Sequence, residues 1–168
     1  ARHILADSQS TRQDLIELLA VEPGCITVLY PGVEPRFQPV REAVILDSVR
    51  ARYELPPRFI LGLSTLQPRK NFDGLIEAFG RLLSSGSGGS AIEDVSLVIA
   101  GGKGWMYKDL AALVQRLGLA DRVHFAGFVA DDDLLALYNL ADVFAFPSWY
   151  EGFGLPALEA MACGTPVV

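Results

Sequence analysis

The stretch VFAFPSWYEGFGLPALEAMACGTPVV, residues 143–168, decides the fold. VFAF is an unbroken apolar run, the pattern of a strand covered on both faces. PSWYEGFGLP then breaks the run with Gly152 and Gly154, and LPALEAMA reads as a helix with Pro156 in its first turn, where a missing N–H costs nothing. PVV, residues 166–168, predicts a further strand. A strand, a Gly-rich turn, a helix and a strand make one unit of a parallel α/β sheet.

Working outward, the same alternation recurs. Strands are predicted at residues 3–6, 26–29, 59–63, 95–100 and 123–125, with VSLVIA again nearly all apolar. Between them, Leu75, Ile76, Phe79, Leu82 and Leu83 share one helical face after Asn71, a candidate cap. Leu110, Leu113, Val114 and Leu117 repeat the spacing before Gly118, and residues 12–19, 41–53 and 131–138 are further helix candidates. The expected architecture is a Rossmann-like α/β fold, a mostly parallel sheet with helices on both faces and right-handed crossovers. YPGVEPRFQPV, residues 30–40, is Pro-rich and aperiodic and reads as a linker or crossing segment; SSGSGGSAIED, residues 84–94, reads as a flexible surface loop.

Composition narrows the class. The 168 residues are about half apolar (51%), enough for one domain with a full core. A net charge of −6 and no basic run longer than Arg69-Lys70 argue against nucleic acid or an anionic membrane surface as the main partner. Cys25 and Cys163 are far apart, with no spacing that suggests a disulfide framework or zinc site.

Three turns follow strands at their carboxyl ends, where open parallel sheets collect ligands: STLQPRKN, GGKGW and PSWYEGFGLP. None fits a dinucleotide or P-loop fingerprint, since Tyr107 stands where GxGxxG needs its third glycine. The third turn has its own logic. Gly152 and Gly154 allow close backbone approach, and the exposed N–H groups and positive end of the following helix favour an anion. Glu159, one turn in, is able to accept hydrogen bonds from a vicinal diol such as a ribose, and Glu151 would face a sugar beyond the phosphates. Acidic residues beside a helix start are also ordinary dipole complements. Asp131 and Asp133 spell DxD, but at the start of an amphipathic helix they read as capping and dipole residues. Lys103 is a candidate ligand contact or a solvated lysine; Trp105, Trp149 and Tyr150 read as packing, His3 and His124 as structural or solvent-facing, Cys163 as small and buried.

With STLQPRKNFDGLIEAF, LVIAGGKGW and the run from LGLADRVHFAGF to the end in this order, the chain resembles the donor-binding half of a GT-B glycosyltransferase of family 4, the retaining glycosyl transferases group 1. Glu151 and Glu159 reproduce that family's E-x7-E signature. The resemblance implies an enzyme that transfers a sugar from a nucleotide-diphosphate sugar to a glycan or lipid-linked acceptor, without a metal or other cofactor. It implies that Arg69 and Lys70 bind the diphosphate, that Gly152, Phe153, Gly154 and Leu155 form the phosphate-facing turn, and that Glu159 holds the ribose. Phe128, Val129 and Leu134 would receive the base, and Glu151 a sugar hydroxyl. It also implies that residues 1–29 end an acceptor-side domain, 30–40 link the domains and 41–168 form a truncated donor domain, so that the fragment alone binds donor without transferring it. A cytoplasmic location, with peripheral attachment to the inner membrane face, is the expectation for the whole protein. Ser64-Thr65 departs from the Gly-Arg usual in the family, and Gln67 from a frequent Glu; PRKN with GGKGW resembles mannosyltransferases that use GDP-mannose. A GT-B sugar-nucleotide epimerase and a non-catalytic nucleotide-sugar-binding module are the alternatives.

Overall fold

The computed structural model describes residues 2–86, 89–102 and 107–168. Two parallel sheets form. The smaller pairs β1 (Ile4–Ala6) with β2 (Ile26–Val28), joined through helix α1 (Gln9–Leu19). The larger has the order β5-β4-β3-β6, from β3 (Phe59–Leu63), β4 (Ser96–Ala100), β5 (Val123–Gly127) and β6 (Val143–Phe144). Helices α2 (Ala43–Arg52), α3 (Phe72–Ser84), α4 (Tyr107–Arg116), α5 (Asp131–Leu140) and α6 (Leu155–Ala162) cover it.

The apolar runs are explained by burial on both faces. Alternate residues of β4 point to opposite sides: Val98 and Ala100 enter a core with α2, α5 and α6, whereas Leu97 and Ile99 enter one with α3 and α4. A strand with water on neither face has no position for a polar side chain, and each fully buried Leu, Ile or Phe contributes about 1.5–3 kcal/mol. The predicted last strand is shorter than expected, reduced to a parallel bridge between Phe144 and Val167 flanked by Phe144 N–H donating to Pro166 O (2.8 Å) and Phe146 N–H to Val168 O (2.7 Å).

Several local expectations change. Helix α1 starts at residue 9 rather than 12 because the Ser8 hydroxyl accepts from Thr11 N–H at 3.0 Å. Asn71 precedes α3 but does not cap it: its backbone is left-handed (φ 55°), and its side-chain amide instead donates to Pro147 O at 3.1 Å. Asp133 is not a capping residue. It is 6% exposed and accepts from the Arg52 guanidinium (2.7 and 2.8 Å) and the Tyr53 hydroxyl (2.7 Å), which pins the end of α2 to α5. The Tyr53 hydrogen bond, with Arg52 adding to it, holds this carboxyl below its usual range against the opposing effect of burial. His124 is structural, its ring Nε2 lying 2.9 Å from Tyr53 O.

Residues 30–40 contain no helix or strand, yet they are fastened down. Phe37 is buried edge-on against Tyr138 (5.8 Å between centroids), and Asn139 bonds to Val40 N–H (2.7 Å) and Gln38 O (3.1 Å). In the Ser/Gly-rich stretch, residues 87–88 lie outside the described residues, and Gly89–Ile92 forms a 3₁₀ turn. Among the described residues, no helix is long and apolar enough to cross a membrane.

Candidate active site

The carboxyl ends of β3, β4 and β5 meet the start of α6 around a cleft of about 300 Å³. Its floor is drawn together by backbone. Ser64 N–H donates to Ala100 O (3.1 Å), and Gly101 N–H donates to Gly127 O (2.7 Å). Gly101 has φ 137°, and a Cβ there would lie 1.9 Å from Ser64 O, so only glycine lets these two turns touch.

One wall of the cleft is apolar: Val129 is buried, Leu134 is half-buried, and Phe128 is 73% exposed at the mouth. Opposite stands Glu159, one turn into α6. The hydroxyl of Tyr138, a wholly buried residue of α5, donates to Glu159 Oε2 at 2.8 Å. Burial, reinforced by the Glu159 carboxylate, pushes the Tyr138 phenol far up, so it stays a donor at any physiological pH. Its ring is clamped edge-on by Phe144 (5.5 Å) and by Phe37, and its carbonyl accepts from Thr165 Oγ1 at 2.7 Å. Glu159 is thereby oriented on one oxygen, and Oε1 has no partner among the described residues. Cys163, one turn beyond, is buried, and burial beside Glu159 pushes its thiol up to about 11.

A second cluster lies at the other end of the Gly-rich turn. The 3₁₀ turn Pro68–Lys70 brings up two cations, and both engage Glu151: Lys70 through its ammonium, Arg69 through its guanidinium at 2.8 Å. Burial would raise the Glu151 carboxyl, but hydrogen bonds from Lys70, Ser148 and Arg69 overcome it and hold the group near 2. Arg69 also braces the turn, donating to Tyr150 O (3.0 Å) while its own carbonyl accepts from Trp149 N–H (2.9 Å). Lys70 Nζ lies 5.8 Å from the centre of the Phe146 ring. Gly154 (φ 96°) packs on the same ring, its virtual Cβ 3.2 Å from Phe146 Cε1. The ammonium and the amino end of α6 therefore lean on one aromatic side chain. Among the described residues, none accepts a hydrogen bond from the backbone N–H groups of Phe153, Gly154 or Leu155.

The smaller sheet reaches this turn from the other side. Tyr150 donates its hydroxyl to Asp14 of α1, the Tyr30 and Phe153 rings lie 5.9 Å apart, and Gly152 rests against Thr11 and Asp7.

The sequence-predicted residues thus fall into two groups joined by residues 152–155. Phe128, Val129, Leu134 and Glu159 line the cleft; Arg69, Lys70 and Glu151 form the ion cluster. Trp149, expected to pack, is 76% exposed, and Tyr150 contacts Asp14 rather than the core. Lys103 and Trp105 lie outside the described residues. Sequence reasoning missed Tyr138 and Gly101. A tyrosine in an apolar helical register reads as core, and nothing in GG shows which glycine must meet Ser64.

Comparison with known proteins places the chain in a family. The family described as Glycosyl transferases group 1 matches residues 48–168. The chain is 37% identical over 170 residues to the serotype-specific mannosyltransferase WbdA of Escherichia coli, covering 96% of this chain and 20% of that protein. It is 36% identical to O-antigen chain mannosyltransferase B of Escherichia coli, covering all of this chain and 43% of the relative. It is 37% identical to the D-inositol 3-phosphate glycosyltransferase of Salinispora tropica, covering all of this chain and 36% of the relative. The chain therefore spans from a fifth to under half of the lengths of these relatives. Among solved structures, HepE of Anabaena in complex with UDP and glucose superimposes with a TM-score of 0.81 at 26% identity, covering 99% of this chain and 44% of HepE.

Proposed function

This chain belongs to the family of glycosyl transferases group 1, and on that premise we propose that it forms the donor-binding part of a retaining, family 4 glycosyltransferase that takes a nucleotide-diphosphate sugar. The observation that carries the reading is the shared seat of Lys70 and the amino end of α6 on Phe146, with the Glu159 cleft beside it. A diphosphate at that seat would accept from the N–H groups of residues 153–155, which have no acceptor among the described residues, and face a positive side chain and a positive helix end. A nucleoside would extend into the cleft, its ribose diol on Glu159 and its base against Val129, Leu134 and Phe128. Similarity at 36–37% identity to two mannosyltransferases supports a mannosyl donor, GDP-mannose first.

The chemistry assigned to the chain's own residues is electrostatic. As the bond between the anomeric carbon and the diphosphate oxygen breaks, charge grows on the leaving group, where Lys70 and the α6 dipole would face it; Arg69 would add to the field. The acceptor hydroxyl attacks from the same face, and its proton passes to the departing phosphate, which preserves the anomeric configuration. This step needs neither a metal nor a protein nucleophile, so Glu151 serves to bind a donor hydroxyl rather than form a glycosyl-enzyme. We assign residues 1–29 to the end of an acceptor-side domain and residues 30–40 to the crossing between domains. The acceptor is a glycan or a lipid-linked glycan, reached at the cytoplasmic membrane face.

The test is a binding screen of UDP-, GDP- and ADP-sugars against the intact protein, with products followed by mass spectrometry and anomeric configuration by NMR. One sugar nucleotide is expected to bind and yield a nucleoside diphosphate and a glycosylated acceptor with retained configuration. Conversion of the sugar nucleotide to an isomer, or no binding to any, contradicts the proposal.

A further inference from the structure

Lys70 and Arg69 already hold an anion, and it belongs to the protein. The Lys70 side chain is 11% exposed and that of Glu151 18% exposed, so neither has enough water around it to stand alone. An ammonium so far removed from water needs a counter-charge, and Glu151 supplies it. Yet these are the cations that the donor-binding reading gives to the diphosphate. One carboxylate and one diphosphate compete for the same two donors.

We infer that Glu151 is a placeholder anion: it neutralises Lys70 and Arg69 while the site is unloaded, is displaced when a nucleoside diphosphate arrives, and only then becomes free to meet the donor's sugar. This inference rests on the donor-binding reading. The geometry supports an exchange in place. Arg69 keeps a second anchor on Tyr150 O (3.0 Å), and Asn71 holds Pro147 O (3.1 Å), so the turn stays braced when the carboxylate leaves its cations. Lys70 remains over Phe146, beside Gly154. A diphosphate carries more negative charge and more acceptor oxygens than one carboxylate, which gives the exchange its direction. Because release of Glu151 follows arrival of the phosphates, sugar recognition is coupled to phosphate binding.

The consequence is opposite to that of an ordinary binding residue. Removing the Glu151 charge strengthens binding of a nucleoside diphosphate that carries no sugar. Isothermal titration of GDP and UDP into the intact protein and its Glu151→Gln variant should show about tenfold tighter binding of the preferred nucleotide by the variant. In a Lys70→Ala background the same substitution should give no gain, because the contested cation is gone. Should Glu151→Gln fail to fold, Glu151→Asp serves instead: it keeps the charge but falls one methylene short of the cations, and it too should bind the nucleotide more tightly than the wild type. Wild-type binding with equal or weaker binding by the folded variant overturns the placeholder and leaves the donor site standing. No binding by either protein removes the donor site and the placeholder together.

Discussion

The cleft around Glu159 and the cluster around Glu151 lie on either side of the turn at residues 152–155, and they are built on different principles. In the cleft, buried rings and backbone hydrogen bonds hold the candidate groups in place, and among the described residues nothing claims Glu159 Oε1 or the N–H groups of residues 153–155. In the cluster, every strong charge is already answered by another. The first resembles a mould and the second a balanced ledger of ions. The difference teaches where, on the proposed reading, binding would meet resistance: a nucleoside would enter a prepared space, whereas the phosphates would have to outcompete a resident carboxylate.

The largest expected effect strikes the floor of the cleft. Gly101→Ala places a Cβ 1.9 Å from a backbone oxygen at φ 137°, so the turns after β3 and β4 must separate. A loss of about 3 kcal/mol or more in denaturant unfolding is predicted. An unchanged midpoint would break the contrast, because the cleft would then not depend on close backbone contact.

Next comes Tyr138→Phe, which leaves the packing of the ring and removes only the donor to Glu159. Stability should fall by about 1–2 kcal/mol, and nucleotide affinity should fall with it as the carboxylate loses its orientation. Affinity unchanged in calorimetry would detach Tyr138 from the site and leave it a core residue.

The smallest effect is expected from the ion cluster, and it has a sign. The Glu151 carboxyl is held at about 2 against an ordinary 4.5, so its contribution to stability is complete above the ordinary value and is lost as pH falls from about 4.5 towards 2. Asp133, also depressed, loses stability in the same direction, so the informative quantity is the difference between wild type and Glu151→Gln. That difference should shrink on acidification across this window in urea titrations, and a constant difference would show that the ion cluster does not stabilise the fold.

Much of this was legible in the residues because it rests on local pattern. SLVIA and VFAF announce strands buried on both faces, Gly118 (φ 67°) ends α4 as a stop signal should, and Gly154 takes up the left-handed start of α6. What the sequence did not disclose depends on partners distant in the chain. Asp133 reads as a helix-start acid until Arg52 and Tyr53 arrive from some 80 residues away. Asn71 reads as a cap until Pro147 claims its amide, and Phe37 hides its role as an anchor inside a Pro-rich stretch. The site divides the same way. Lys70, Glu151 and Glu159 stand out through their spacing and charge, while Tyr138 looks like one more apolar position of α5. That the two cations would turn to Glu151 is a matter of three-dimensional proximity, which no spacing rule contains.

The central claim is that a nucleoside diphosphate lies across this turn. A crystal structure of the intact protein soaked with GDP or UDP tests it most directly. The account predicts phosphate oxygens between Lys70 and the N–H groups of residues 153–155, and a ribose diol on Glu159. A nucleotide bound elsewhere, or a diphosphate beyond hydrogen-bonding reach of Lys70 and the amino end of α6, would contradict it.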